Sequence, residues 1–169
     1  MKRQKGFSLI ELLIVVAIIL IIAAIAIPNL LRSKMAANES SAVGSLRTLT
    51  TAQATYSSMY NVGYATTYAE LGPGNNTCAT ANLIDAVLAA GAKSGYAFTP
   101  FVTTANGTAA AILAATGCAD GAATWNTQAN PQTCDTTGHR TFYVDQTGVI
   151  RFNPAAGCVV AGPASAPLQ

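Results

Sequence analysis

A single carboxylate, Glu11, sits in an otherwise aliphatic stretch. Residues 7–27 read FSLIELLIVVAIILIIAAIAI, Pro28 follows, and only Ser8 and Glu11 bring polar groups into the run. An ionised carboxylate in hydrocarbon is costly and needs a partner, so Glu11 supplies a buried charge to something else. The run is long enough to span a bilayer as a helix. The residues before it, MKRQKG, are basic. Lys2, Arg3 and Lys5 fit cytoplasmic retention of that end under the positive-inside rule. A secretory signal peptide has a shorter apolar stretch with a small-residue cleavage site after it, and this stretch is too long for one. A plain membrane anchor explains the run and its basic flank equally well, but not Glu11 or the Gly6–Phe7 junction.

Four cysteines follow: Cys78, Cys118, Cys134 and Cys158. All fall on the side of the span opposite the basic flank. In an oxidising compartment an even count reads as two disulfides, with three pairings open. Zinc is the competing chemistry. There is no C-x-x-C pair and His139 is the single histidine, so a four-ligand site would need all four cysteines at unusual spacing. Around His139 nothing flags a nucleophile or an orienting carboxylate, which leaves a surface or hairpin-flank histidine. Asp120, Asp135 and Asp145 could offer oxygens to calcium. Such a site gathers about six to eight oxygens, and no dense D-x-D-x-D run exists here. Asp145 reads more simply as a turn residue. Asn38, Asn75 and Asn106 each head an Asn-x-Ser/Thr triplet, the N-glycosylation motif, which is short enough to recur by chance and matters only with glycosylation machinery. Tyr56, Tyr60, Tyr64 and Tyr68 recur at four-residue steps and read as packing and loop residues. No metal, cofactor or catalytic residue is expected.

The elements that hold these groups follow from length and pattern. A chain of 169 residues, half of them apolar, is too long for a bare helix and short for two full domains; a membrane helix plus one head fits. Only 9% of residues are charged and the net charge is +2, with no basic stripe, so nucleic-acid binding has no electrostatic basis. Residues 7 to 60 read as one long helix. Pro28 lacks an N–H and clashes with the preceding turn, so a kink or loosened stretch is expected there. Beyond Arg32, the residues Met35, Ala42, Leu46, Leu49, Ala52, Tyr56 and Tyr60 recur at three- and four-residue steps. They form an apolar stripe, with Arg47, Gln53, Ser and Thr in the other positions. The small residues Ala36, Ala37, Ser40, Ser41, Gly44 and Ser45 would let another surface approach closely.

Past residue 60 the signals shorten. Residues 71–76 (LGPGNN) are a turn-rich break. Residues 81–90 suit a short helix ended by Gly91. Residues 95–102 alternate like a strand, with Pro100 marking an edge or an end. Residues 105–121 are ambiguous, with helical composition over 109–115, and residues 124–127 suit a short strand around Trp125. The best strand signal is a hairpin over residues 140–153, turning at 145–148, where Gly148 can take a positive φ. The tail, residues 159–169 with two prolines, is expected to be poorly ordered. The fold class is α+β: a long N-terminal helix whose second half packs on a small antiparallel sheet.

The string K-G-F-S-L-I-E-L-L-I-V-V-A-I-I, with Pro28 beyond it, resembles the N-terminus of type IV pilins and the related pseudopilins. The resemblance is specific over residues 5 to 60 and weak beyond. It implies cleavage by a prepilin peptidase after Gly6, N-methylation of Phe7, and Glu11 in the role of the family's fifth-position glutamate, meeting the Phe7 amine of a neighbouring subunit. One departure stands out: many relatives carry a glycine inside the apolar run where this chain has Leu20. The resemblance also implies a ladle-like fold. The favoured cysteine pairing is Cys78–Cys118 with Cys134–Cys158; the second pair brackets the expected hairpin, and related pilins often close a C-terminal loop this way.

The function this implies is structural, not enzymatic. Residues 1–6 would be a cleaved leader, 7–31 a transmembrane and later filament-core helix assembled through Phe7, Glu11 and Pro28, and 32–169 a periplasmic or extracellular head. The precursor would lie in the bacterial inner membrane with its N-terminus in the cytoplasm. It would then join a homo-oligomeric helical filament at the cell surface, built by an assembly platform. Energy for extension would come from cytoplasmic ATPases, since the chain has no phosphate-binding loop. Two rivals stand beside this: a pseudopilin of a type II secretion system forming a short periplasmic piston, and a membrane-anchored periplasmic enzyme or binding domain.

Overall fold

The computed structural model describes residues 7–102, 106–108, 110–154 and 157–168. Gly6, with Lys2, Arg3 and Lys5, lies outside them. Helix α1 spans Leu9–Tyr60. Contacts divide the chain into two compact units, one ending at Lys34 and one beginning at Met35.

In the first unit, α1 starts at a sequence-encoded cap. The Ser8 backbone N–H donates to Glu11 Oε2 at 2.9 Å, and the Leu12 N–H donates to the Ser8 carbonyl at 3.2 Å. Ser-x-x-Glu at 8–11 is the glutamate half of a capping box, in which the third helical residue reaches back to the first free amide. Straight-chain and aliphatic residues then propagate the helix, and their side chains lie exposed. The helix also runs unbroken through Pro28, so the hydrogen-bond ladder does not show the interruption expected there. A proline removes one N–H from the ladder, and the remaining bonds of a 52-residue helix hold the turn.

In the second unit, α1 buries Glu39, Ala42, Ser45, Leu46, Leu49, Ala52, Gln53 and Tyr56, a stripe at three- and four-residue steps. The stripe shares one core with Val62, Leu71, Leu88, Tyr96, Phe142 and Val144. Gln53, expected on the polar face, is a correction. Its amide is paired at both ends with the Ala65 backbone: Nε2 donates to the Ala65 carbonyl at 3.0 Å and Oε1 accepts the Ala65 N–H at 2.8 Å. A buried amide satisfied on both ends carries no desolvation debt.

Six strands form an antiparallel meander in chain order: β1 Ala92–Lys93, β2 Tyr96–Val102, β3 Trp125–Pro131, β4 Thr141–Asp145, β5 Arg151–Asn153 and β6 Ala166–Pro167. Pro100 sits opposite Thr127 in the β2–β3 register, while β1 reaches only Tyr96 and Ala97. The proline thus falls where β2 no longer has β1 beside it, and no ladder bond is lost on that side. Strand β3 is longer than the expected 124–127, because Trp125, Thr127 and Ala129 point inward while Asn126, Gln128 and Asn130 alternate with them. In the β4–β5 hairpin Thr141, Phe142 and Tyr143 face Asn153, Phe152 and Arg151.

Among the described residues three short helices complete the unit: α2 Tyr68–Leu71, α3 Ala86–Ala89 and α4 Ala110–Thr116. The expected helix over 81–90 shrinks to α3. The amides of Ala81, Asn82, Leu83 and Ile84 donate to carbonyls of residues 70–72, and Asn82 has a φ of 56°, which a right-handed helix does not allow. Asp85 then caps a fresh start, accepting the Leu88 N–H at 3.0 Å. The tail also departs from expectation. Ala161 is buried, the Leu168 N–H donates to the Ile150 carbonyl at 2.7 Å, and β6 pairs with β5. Pro167 is tolerated because β6 is an edge strand, and Pro163 lies before it in the turn.

Candidate functional site

Two groups of residues carry the chemistry, one in each unit. In the first, Glu11 lies one turn into α1, exposed, with Oε2 on the Ser8 amide. Among the described residues Oε1 accepts no hydrogen bond, so one carboxylate oxygen stays open to a donor from outside the chain. A negative charge at this position also complements the helix dipole. Sequence reasoning singled out Glu11 but missed Ser8; the Ser-x-x-Glu spacing was the available signal. Around Glu11 the surface is apolar. Phe7 is 75% exposed, Leu9 76% and Leu13 62%, and the row continues through Leu31. This helix is long and apolar enough to cross a membrane. The arrangement is a hydrocarbon rod with one acid at its tip: it can partition into lipid or pack on like helices, and it demands a donor for the acid.

The second group fixes the C-terminal segment to α1. Glu39 is 7% exposed. Its Oε1 accepts the backbone N–H groups of His139 and Arg140 at 2.9 and 3.0 Å, and its Oε2 accepts Arg140 Nε at 2.7 Å. Burial by itself would raise the acid's pKa. The two amides and the guanidinium outweigh that and hold the carboxyl below its ordinary range. Beside it Asn38 Nδ2 donates to the Thr137 carbonyl at 2.8 Å, and the Tyr96 hydroxyl donates to the Arg140 carbonyl at 2.7 Å. The Arg140 guanidinium also lies over the rings of Phe142 and Phe152. Sequence reasoning missed Glu39, which it met only as the middle of a glycosylation triplet.

Cys134 and Cys158 are joined, with Cα atoms 5.8 Å apart, and close a loop containing β4 and β5. Cys78 and Cys118 form the second bridge, with Cα atoms 5.7 Å apart. The sequence-flagged acids stay apart in function. Asp120 accepts the amides of Gly107 and Thr108, Asp145 accepts the Thr147 amide, and Asp135 pairs with His139 Nδ1. Asp135 and Asp145 act within their own turns, and Asp120 holds the 107–108 backbone 12 to 13 residues away. Among the described residues the one grouping with metal-ligand proximity is Cys134, Asp135 and Cys158, and both sulfurs there are committed to the bridge. The tyrosine series also separates. Tyr56 and Tyr60 rings lie 4.9 Å apart, Tyr64 instead meets Trp125 at 6.3 Å, and the Tyr68 hydroxyl bonds Thr127. They are core and loop contacts.

Residues 1–27 match the family model described as the prokaryotic N-terminal methylation motif. The chain is 52% identical over 54 residues to the type IV major pilin protein PilA of Myxococcus xanthus, covering 32% of this chain and 24% of that protein. It is 62% identical over 39 residues to the type IV wide pilus major component PilA4 of Thermus thermophilus, covering 23% and 30%. A fimbrial protein of Pseudomonas aeruginosa is 79% identical over 29 residues, covering 17% and 19%. The matched stretches therefore span less than a third of each relative's own length. No solved structure gives a significant match.

Proposed function

From the type IV pilin N-terminus that this chain carries, we propose that it is a structural subunit of a type IV pilus-like filament. Residues 1–6 are a leader that a prepilin peptidase removes between Gly6 and Phe7, and the new Phe7 amine is methylated. Residues 7–31 hold the precursor in the inner membrane with the basic end in the cytoplasm. They later form the filament core, while residues 32–169 are displayed outside.

The observation that carries this reading is the exposed aliphatic surface of α1 around one acid. Helices leaving lipid for a bundle gain little from burial, because lipid is as apolar as leucine; close packing and polar contacts decide the register. An acid left unpaired in such a bundle costs several kcal/mol, about 3–5 in comparable buried sites. Only placements that bring a cation to Glu11 avoid that cost, and the neighbour's Phe7 amine is such a cation. The helix dipole and the Ser8 amide keep the carboxylate oriented until then.

The deciding experiment is mass spectrometry of long filaments sheared from the cell surface. The reading expects this protein to dominate them, with a mature chain beginning at methylated Phe7. A processed chain that is absent from surface fibres would assign it to a minor subunit or to a short periplasmic pseudopilus. A mature chain still beginning at Met1 would overturn the pilin reading.

A further inference from the structure

We propose that Asn75 is an attachment site for an N-linked glycan. Asn38, Asn75 and Asn106 all head Asn-x-Ser/Thr triplets, and the structure separates them by what each side-chain amide already does. Asn38 lies inside α1, and its Nδ2 is committed to the Thr137 carbonyl at 2.8 Å. A sugar on that nitrogen would break a contact between the helix and the C-terminal segment. Asn106 donates from Nδ2 to Thr108 Oγ1 at 3.1 Å, and its backbone N–H is held by the Gly121 carbonyl at 2.7 Å. Asp120 holds the next two amides. Asn106 also lies flat on the loop, with Cβ and Cγ only 2.9 Å from where a Cβ on Gly63 would stand.

Asn75 shares with Asn106 an exposed position outside helix and strand, but its side chain makes no hydrogen bond among the described residues; its backbone N–H is held by Thr80 Oγ1 at 3.3 Å. Asn76 has a φ of 57°, which turns the chain and leaves Thr77 exposed as well. The turn stands on a fixed base. Gly72 donates to the Ala69 carbonyl at 3.1 Å, Thr77 and Thr80 exchange backbone bonds at 3.2 and 2.9 Å, and Cys78 is bridged to Cys118. An exposed triplet with a free amide, on a turn held at both ends, is what a transferase acting on a folded protein requires.

The donor class is an oligosaccharide carried on a lipid pyrophosphate. Asn75 Nδ2 bonds to the anomeric carbon as the bond from that carbon to the pyrophosphate oxygen breaks. The lipid pyrophosphate leaves with the electron pair, and the amide loses one proton to a base of the transferase. No oxidation occurs. The proposal goes beyond the filament reading and rests only on its export step, since Asn75 must leave the cytoplasm.

The test is the intact mass and peptide map of the full-length protein from its native cells, alongside the Asn75→Gln, Asn38→Gln and Asn106→Gln variants. The expected result is a mass exceeding the chain by whole sugar residues, a glycopeptide containing Asn75, and loss of the added mass in Asn75→Gln alone. Paired cysteines on a sugar-free chain would overturn the proposal, as would added mass that persists in Asn75→Gln. Free cysteines on a sugar-free chain would overturn it together with the export reading beneath it.

Discussion

The Glu39 carboxylate on α1 and the Arg140 guanidinium beside β4, 101 positions apart in the chain, meet at 2.7 Å. Two backbone amides converge on the same carboxylate, so one side chain holds three donors from residues 139 and 140. This ties the start of β4 to the helix from which the second unit is built. Glu39→Ala leaves those donors without their acceptor. Arg140 is 40% exposed and can hydrate, but the buried side of the contact cannot. The expected loss is about 2–3 kcal/mol of unfolding free energy, read as a lower urea midpoint with the m-value unchanged. A variant as stable as the parent would remove the clamp from the argument.

The same carboxylate sets an acid limit. Its pKa in the folded chain is lowered from an ordinary value of 4.5. A lowered folded pKa contributes stability that is fully present above the unfolded pKa and is lost as pH falls through the folded one. Melting temperature should therefore hold from neutrality down to about pH 5 and fall below that. Glu39→Gln should be less stable at neutral pH and show a shallower acid slope. The slope should not vanish, because the carboxyls of Asp85 and Asp120 are lowered as well. Parallel melting curves for Gln and Glu chains across pH 3–7 would show that Glu39 is not the titrating latch.

What the sequence made legible follows the range of the interactions involved. The α1 stripe from Ala42 to Tyr56 and the 140–153 hairpin are periodic signals, and periodicity is local. Ser8 was equally local, and reading Ser-x-x-Glu as a cap would have found it. Glu39 and Gln53 could not be found this way. Their burial depends on the backbone of residues 139–140 and of Ala65 arriving in register, a tertiary condition with no sequence period. The tail failed for the same reason: two prolines argue against a central strand but say nothing against an edge strand beside β5. In 81–84 helical composition lost to the left-handed backbone of Asn82, set among tertiary hydrogen bonds with 70–72.

The bridge between Cys134 and Cys158 closes the loop that Glu39 also holds, so the two constraints act on one segment. Cross-linking a 24-residue separation is worth about 3.5 kcal/mol on the chain-entropy model. The double Cys134→Ser, Cys158→Ser chain should lose stability of that order in urea titration. Combined with Glu39→Ala, the losses should depart from additivity by about 0.5 kcal/mol or more, since both mutations free residues 138–140. Strict additivity would mean that the disulfide and the carboxylate restrain different parts of the unit.

Glu11 is the test of assembly itself. Its acid has one oxygen on the Ser8 amide, and among the described residues the other accepts no hydrogen bond. If the open oxygen awaits a neighbour's amine, removing the charge and removing the Ser8 N–H should have different consequences. Glu11→Ala and Glu11→Gln should both be synthesised, inserted and processed at Phe7, yet yield few or no filaments by electron microscopy of sheared material. A neutral amide keeps the size of the side chain but cannot answer a cation, so Gln should fare no better than Ala. Ser8→Pro removes the donor of the cap while leaving the carboxylate, and its filaments should be reduced far less. N-terminal mass analysis of each variant separates failed cleavage from failed polymerisation. Abundant filaments from Glu11→Gln would show that the acid caps its own helix and does not set the register between subunits.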